Sequence, residues 1–116
     1  MLAGNIPVLV HNSRCLIADV IGPQGEHLWL PKGRKAVAVS DKGKGWVYEI
    51  KKSEAVANGL DPKVAYVRVM DPVTEGKYQY PNGYVIYMNA DGHSMNPITG
   101  KVGISNADPY NHIPIP

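Results

Sequence analysis

The sequence predicts a single α+β domain: a small antiparallel β-sheet with an irregular C-terminal segment. Three observations predict it. Short stretches of alternating polar and apolar residues recur along the chain, as half-buried strands require. Twelve glycines and 10 prolines in 116 residues punctuate those stretches, which favours turns over long helices. Hydrophobic residues make up 44% of the chain, enough for one core and too many for wholesale disorder.

Residues 6–10 (IPVLV) read as a short strand, and 28–31 (LWLP) as an apolar run ended by proline. Residues 35–40 (KAVAVS) alternate cleanly, 41–45 (DKGKG) form a turn, and 46–50 (WVYEI) alternate again. Together these predict a β-hairpin over 35–50. Residues 53–59 (SEAVANG) carry Ser53 as N-cap and an Asn-Gly exit, which predicts one or two helical turns. Residues 65–70 (AYVRVM) are the next strand, stopped by Asp71 and Pro72. Pro81-Asn82-Gly83 is a tight turn leading into a strand over 84–89 (YVIYMN). From His93 onward no period persists, yet Met95, Ile98, Val102, Ile104, Tyr110 and Ile113 are spaced through the segment. The prediction is an ordered, irregular tail over the sheet, the kind of backbone on which small enzymes often place chemistry.

Composition limits the function. The chain has no Phe but seven Tyr, residues that suit a core opening onto a polar groove. The one cysteine, Cys15, rules out an internal disulfide and a four-cysteine zinc site. The N-terminus lacks the basic region of a signal peptide, and no apolar run is long enough for a membrane-spanning helix, so no membrane anchoring is expected. The net charge of +2 is unevenly spread. Lys32, Arg34, Lys35, Lys42, Lys44, Lys51 and Lys52 crowd into 21 residues against only Asp41 and Glu49, with Trp46 and Tyr48 among them. Two readings stay open: a phosphate-binding surface with stacking residues, or a solvated hairpin whose lysines guard an edge strand.

Residues 3–13 (AGNIPVLVHNS) resemble the last block of a Hint or intein-like self-cleaving domain, which precedes toxin domains in bacterial polymorphic toxins. In that family an Asn cyclises and breaks its own peptide bond, a His polarises that bond, and a Ser, Cys or Thr follows; His11, Asn12 and Ser13 match in order. The resemblance implies that residues 1–12 are an inert remnant of this pre-toxin segment and 13–116 the toxin domain. The strings LWLPKGRKAV, KGWVYEI, VRVMDP, YPNGYVIYMN, NPITGK and DPYNHIPIP, spread over Leu28 to Pro116, resemble C-terminal toxin domains of the Rhs and contact-dependent-inhibition kind, in the class designated type 17. That resemblance implies an antibacterial domain secreted as part of a larger effector, acting in the target-cell cytoplasm on nucleic acid. It also implies neutralisation by a cognate immunity protein, which charge suggests is acidic. The toxin itself is expected to be monomeric.

The residues narrow the chemistry. Zinc deamination needs a cysteine pair, a serine-hydrolase elbow needs G-x-S-x-G, and a P-loop needs an earlier glycine; none is present. Metal-dependent nuclease chemistry has only Asp91 to His93 and Asp108 to His112 to draw on. Metal-independent RNA cleavage, with no cofactor and no metal, needs a base, an acid and a cation or donors for the phosphate. His112 is the first candidate base, with Asp108 four residues earlier to orient it, and His93 is the second. Thr99, Gly100 and Lys101 offer a hydroxyl, an amide and an ammonium to one phosphate, and Arg68 does the same if it faces the groove. Lys32, Arg34, Lys35, Lys42, Lys44 and Trp46 are the candidate RNA-binding residues.

Each candidate has a plain structural alternative. His112 can pack under Ile113 and Ile115; His93 can be a loop residue, and His27 a surface one. Arg68 can lie on the outer face of its strand, and Tyr78, Tyr80, Tyr84 and Tyr87 can be core or hairpin residues. The sequence therefore points to an RNase toxin acting on tRNA or rRNA. A DNase or other nucleic-acid-modifying toxin, and a non-catalytic binding module, remain open beside it.

Overall fold

The computed structural model describes residues 10–11, 15–16, 18–40 and 43–116. Among them a five-stranded antiparallel sheet dominates, with strand order β5-β6-β7-β8-β9. Its strands are β5 (Ala38–Val39), β6 (Gly45–Glu49), β7 (Tyr66–Met70), β8 (Tyr84–Met88) and β9 (Ile113–Pro114). Chain order equals spatial order, so every connection joins neighbouring strands. Two two-stranded ribbons precede the sheet: β1 (Val10–His11) with β2 (Cys15–Leu16), and β3 (Val20–Ile21) with β4 (His27–Leu28). The α+β, β-rich class expected from the sequence is the class observed.

The strand period of two fixes the two faces of the sheet. Trp46 pairs with Val69 and Tyr48 with Val67, while Val67 faces Tyr87 and Val69 faces Val85. This face is the core. Tyr48, Val67, Val69, Val85, Tyr87 and Ile113 are buried there, covered by Leu16, Val20, Leu28 and Leu30 from the N-terminal ribbons. The Tyr87 hydroxyl, buried among them, donates to the Trp29 carbonyl at 2.8 Å, which gives its polar tip a partner. The opposite face carries Val47, Arg68, Tyr84 and Ile86, and the candidate chemistry gathers there.

The helix α1 (Lys52–Ala57) forms where one was expected, but its cap differs. Lys51, not Ser53, is the N-cap, because Glu54 folds back to accept from the Lys51 N–H at 3.0 Å. The exit is as expected: the Asn58 side chain donates to the Glu54 carbonyl, and Gly59 turns the chain at φ 79°.

Two expectations need correction. The KAVAVS stretch is a strand only at Ala38–Val39, and Val37 and Val39 are 57% and 56% exposed instead of half-buried. It is the edge strand, bonded to β6 on one side only, so alternation there does not secure a covered face. The tail is more regular than its sequence suggests: a 3-10 turn over Pro109–Asn111 leads into β9, which pairs with β8. Pro114 fits because β9 is at the other sheet edge. The turn expected over 41–45 falls partly on residues outside those described, as does most of the strand expected over 6–10.

Candidate functional site

The Pro81-Asn82-Gly83 turn builds one wall of the site. Gly83 adopts φ 90°, and a Cβ there would stand 2.2 Å from the Met70 carbonyl oxygen, so the turn presses against the end of β7. The Gly83 N–H donates to the Tyr80 carbonyl at 2.9 Å, and Tyr80 exchanges backbone hydrogen bonds with Val73. Tyr80 and Tyr84, on either side of this turn, approach to 4.7 Å between ring centroids.

The C-terminal segment builds the other wall. Asp108 caps the 3-10 turn, its Oδ1 accepting from the Tyr110 N–H at 2.9 Å, with Pro109 pre-set in the first position. The buried Asn111 side chain donates to the carbonyls of Ile104 and Ser105 at 3.1 and 3.0 Å, which ties the loop down. The Tyr110 hydroxyl donates to Glu26, so the β3–β4 turn braces the same segment. Burial, then this bond, pushes the Tyr110 phenol up to about 12.

Between the walls sits His112. Its ring lies 4.6 Å from Tyr84 and stacks on Tyr80 at 5.8 Å and 23°. Tyr78, Tyr80, Tyr84, Asp108, Pro109 and His112 line an open groove of about 810 Å³. A recess of about 410 Å³, to which Lys44 contributes, shares Val73 and Tyr84 with it. Arg68 belongs to the same sheet face, opposite Ile86 and diagonal to Tyr84. Partial burial and then the Arg68 charge lower the His112 pKa from its usual 6.5. Burial raises the Tyr84 phenol above its usual 10.0, with Arg68 pulling the other way.

Two sequence candidates, His112 and Asp108, thus line one groove, and Arg68 lies on the sheet face beside it, with a difference. No hydrogen bond reaches the His112 ring from the described residues; tyrosine rings hold it, and the Asp108 carboxylate caps the turn. His93 sits in the turn at the far end of β8, where the Asn89 Oδ1 accepts from its N–H. The five residues of β8 separate it from Tyr84 by roughly 13 Å, at about 3.3 Å per residue. Thr99 and Lys101 belong to another turn, in which the Thr99 hydroxyl accepts from the Lys101 N–H and Gly100 abuts the Asp61 carboxylate. Neither His93 nor that turn lines the groove.

The basic candidates also divide. Lys32 pairs with Asp19 and lies 5.5 Å over the Trp29 ring, and Arg34 grips Glu54 with both terminal nitrogens. Arg34 holds the Glu54 carboxyl at about 2. Lys35 and Lys44 are exposed, and Trp46 packs partly against the core. Lys42, Asn12 and Ser13 lie outside the described residues, and His11 is described only as backbone in β1.

Sequence reasoning missed two arrangements. Tyr80 and Tyr84 both pack against the candidate histidine, and the signal was present in YPNGY, where a tight turn sets two tyrosines side by side. The His27 Nε2–H donates to one Asp19 oxygen at 2.6 Å, and the other Asp19 oxygen accepts from Lys32 and the Leu30 N–H. Burial alone raises the Asp19 pKa, but these bonds outweigh it and hold the carboxyl below its usual range.

No group of three His, Cys, Asp or Glu side chains among the described residues is placed to hold a metal ion. Compared with protein-family models, curated proteins and solved structures, the chain matches none.

Proposed function

We propose that this domain cleaves single-stranded RNA without a metal ion, in the groove around His112. The observation that carries the reading is the imidazole packed against a pair of touching tyrosines in an open groove, with a guanidinium on the sheet face beside it. Aromatic rings along a groove suit unpaired bases, which stack on any π-face. An imidazole kept neutral near pH 7 suits a general base.

In this scheme His112 takes the 2′-hydroxyl proton as the 2′-oxygen attacks the adjacent phosphorus. The bond from phosphorus to the 5′-oxygen breaks, and the departing oxygen takes a proton from the Tyr84 hydroxyl, which burial keeps protonated. A 2′,3′-cyclic phosphate and a 5′-hydroxyl result. Water returns the proton from the imidazolium to the tyrosinate. The wider assignment, a toxin domain of a larger secreted effector with an acidic immunity partner and tRNA or rRNA as target, rests on the sequence strings quoted above.

A second reading has its own observation in favour. The ring nitrogens of His112 receive no orienting hydrogen bond from the described residues, which also fits a groove that binds nucleic acid without cutting it. Purified protein incubated with total RNA, with and without EDTA, separates the readings. Cleavage that persists in EDTA is expected. Cleavage only with added metal overturns the proposal in favour of a metallonuclease, and binding without cleavage favours the second reading.

A further inference from the structure

Arg68 stands apart from Arg34, the other arginine among the described residues. Arg34 has a carboxylate that fits its fork, whereas Arg68 makes no ion pair or hydrogen bond among the described residues. Its Nε is buried with no hydrogen-bond partner. A buried charged donor left unsatisfied is costly, and native structures retain one mostly where a ligand, water or ion completes it. Arg68 sits mid-strand in β7, flanked in register by Val47 and Ile86, and both neighbours are apolar. Tyr84 lies diagonal to it on the same sheet face with His112 packed against that ring, and both groups feel its charge.

From this placement we propose that Arg68, on the sheet face beside the groove and not among its lining residues, anchors an anion subsite built for the tetrahedral oxyanion of a phosphate group. A guanidinium offers five N–H donors in a rigid fork that matches two oxygens of a phosphate at once. The groove volume of about 810 Å³ lies within the roughly 300–1,000 Å³ typical of small-molecule sites. An anion there lies on the sheet face that carries Tyr84, against which the imidazole packs. The Asp108 carboxylate, the acidic group among the groove's lining residues, has one oxygen engaged in the cap of its own turn. The inference deepens the nuclease reading by naming what the groove grips first, a phosphodiester oxyanion, and in that respect it rests on that reading.

The subsite has a consequence for its neighbour. The groups around the imidazole are Arg68 from β7, Tyr84 from β8, Tyr80 from the preceding loop and Asp108 from its own segment. An anion on Arg68 offsets the cation that opposes His112 protonation, so occupancy shifts the imidazole toward its charged form. The phosphate thereby favours the imidazole taking up a proton as the reaction proceeds.

The test follows the His112 ring proton resonance by NMR against pH, in sodium sulfate and in sodium chloride at matched ionic strength. Sulfate is the probe because it stays dianionic across the titration. The expected result is a saturable sulfate effect on the His112 resonance and an upward move of its midpoint. In Arg68→Gln, sulfate binding weakens at least about tenfold and the midpoint no longer responds. Arg68→Lys, which keeps the charge and loses the fork, retains part of both effects and guards against a variant that simply fails to fold. An unsaturable salt effect, or a saturable one that Arg68→Gln leaves unchanged, overturns the subsite. RNA cleavage on the same preparations separates the two claims. Arg68-dependent sulfate binding without cleavage in EDTA keeps the subsite and sinks the nuclease reading. Cleavage in EDTA by a native protein that shows no saturable sulfate effect does the reverse.

Discussion

His112 gains its interest from its surroundings more than from its identity. Partial burial, to which the neighbouring tyrosine rings contribute, and then the Arg68 charge lower the imidazole pKa below its usual 6.5. A base must be neutral to act, so kcat/KM is expected to rise from the acid side with a midpoint below 6.5. His112→Ala is expected to lower the cleavage rate by roughly a hundred- to ten-thousand-fold while the fold persists. Circular dichroism and a cleavage assay on one preparation check both; a lowered Tm with specific activity retained would mean that the ring only packs. The stability effect has a definite sign. The folded-state pKa lies below the unfolded one, so the contribution is fully present above about pH 6.5 and is lost as pH falls through the folded value. Urea midpoints measured across that range should flatten in His112→Asn. Glu54 gives a second titration, because Arg34 holds it at about 2 against a usual 4.5. Its stabilisation is present above about pH 4.5 and lost as pH falls toward 2, and solvent screening limits it to about 1 kcal/mol. Glu54→Gln should remove that acid slope and leave cleavage unchanged. The sequence identified His112, Asp108 and Arg68 as candidates because residue type and loop position are legible. It did not show that Asp108 caps its own turn, since the same carboxylate spacing serves a cap or a dyad.

At the scale of elements, the legible strands were those with enough length to show a period. β6, β7 and β8 have five residues each, and their alternation is plain in WVYEI, AYVRVM and YVIYMN. β3, β4 and β9 have two residues each, too few for a period to register, and pairing with a neighbour defines them instead. The KAVAVS stretch alternates well and is still largely exposed, because burial at an edge depends on what covers it. The turn before β8 is the element on which the site depends most. Gly83 has both a left-handed φ and a carbonyl where a Cβ would go. Gly83→Ala is therefore expected to cost at least about 2 kcal/mol and to disturb Tyr80, Tyr84 and His112 together. Gly43, with positive φ and open space around it, is the control expected to cost less. Chemical denaturation of both variants, with tyrosine fluorescence, checks the contrast.

For the molecule as a whole, the basic stretch read from sequence is not one surface. Lys32 and Arg34 are committed to Asp19 and Glu54, while Lys44 opens on the recess that joins the groove. Lys44→Glu is expected to weaken RNA binding and to make its salt dependence shallower by about one phosphate contact. Lys32→Gln should leave that slope unchanged, and binding measured across a salt series distinguishes them. Linear charge density was legible; the pairing that engages two of its seven cations was not, because Asp19 and Glu54 are 13 and 20 residues away from their partners. The central claim is metal-independent RNA cleavage through a 2′-oxygen at the His112 groove. Its most direct test is the chemistry of the new RNA ends formed in EDTA, read by mass spectrometry on a short defined single strand. The account predicts 2′,3′-cyclic phosphate and 5′-hydroxyl ends with the native protein, and none with His112→Ala. Ends bearing 5′-phosphate, or the same cyclic ends from a folded His112→Ala protein, would contradict it.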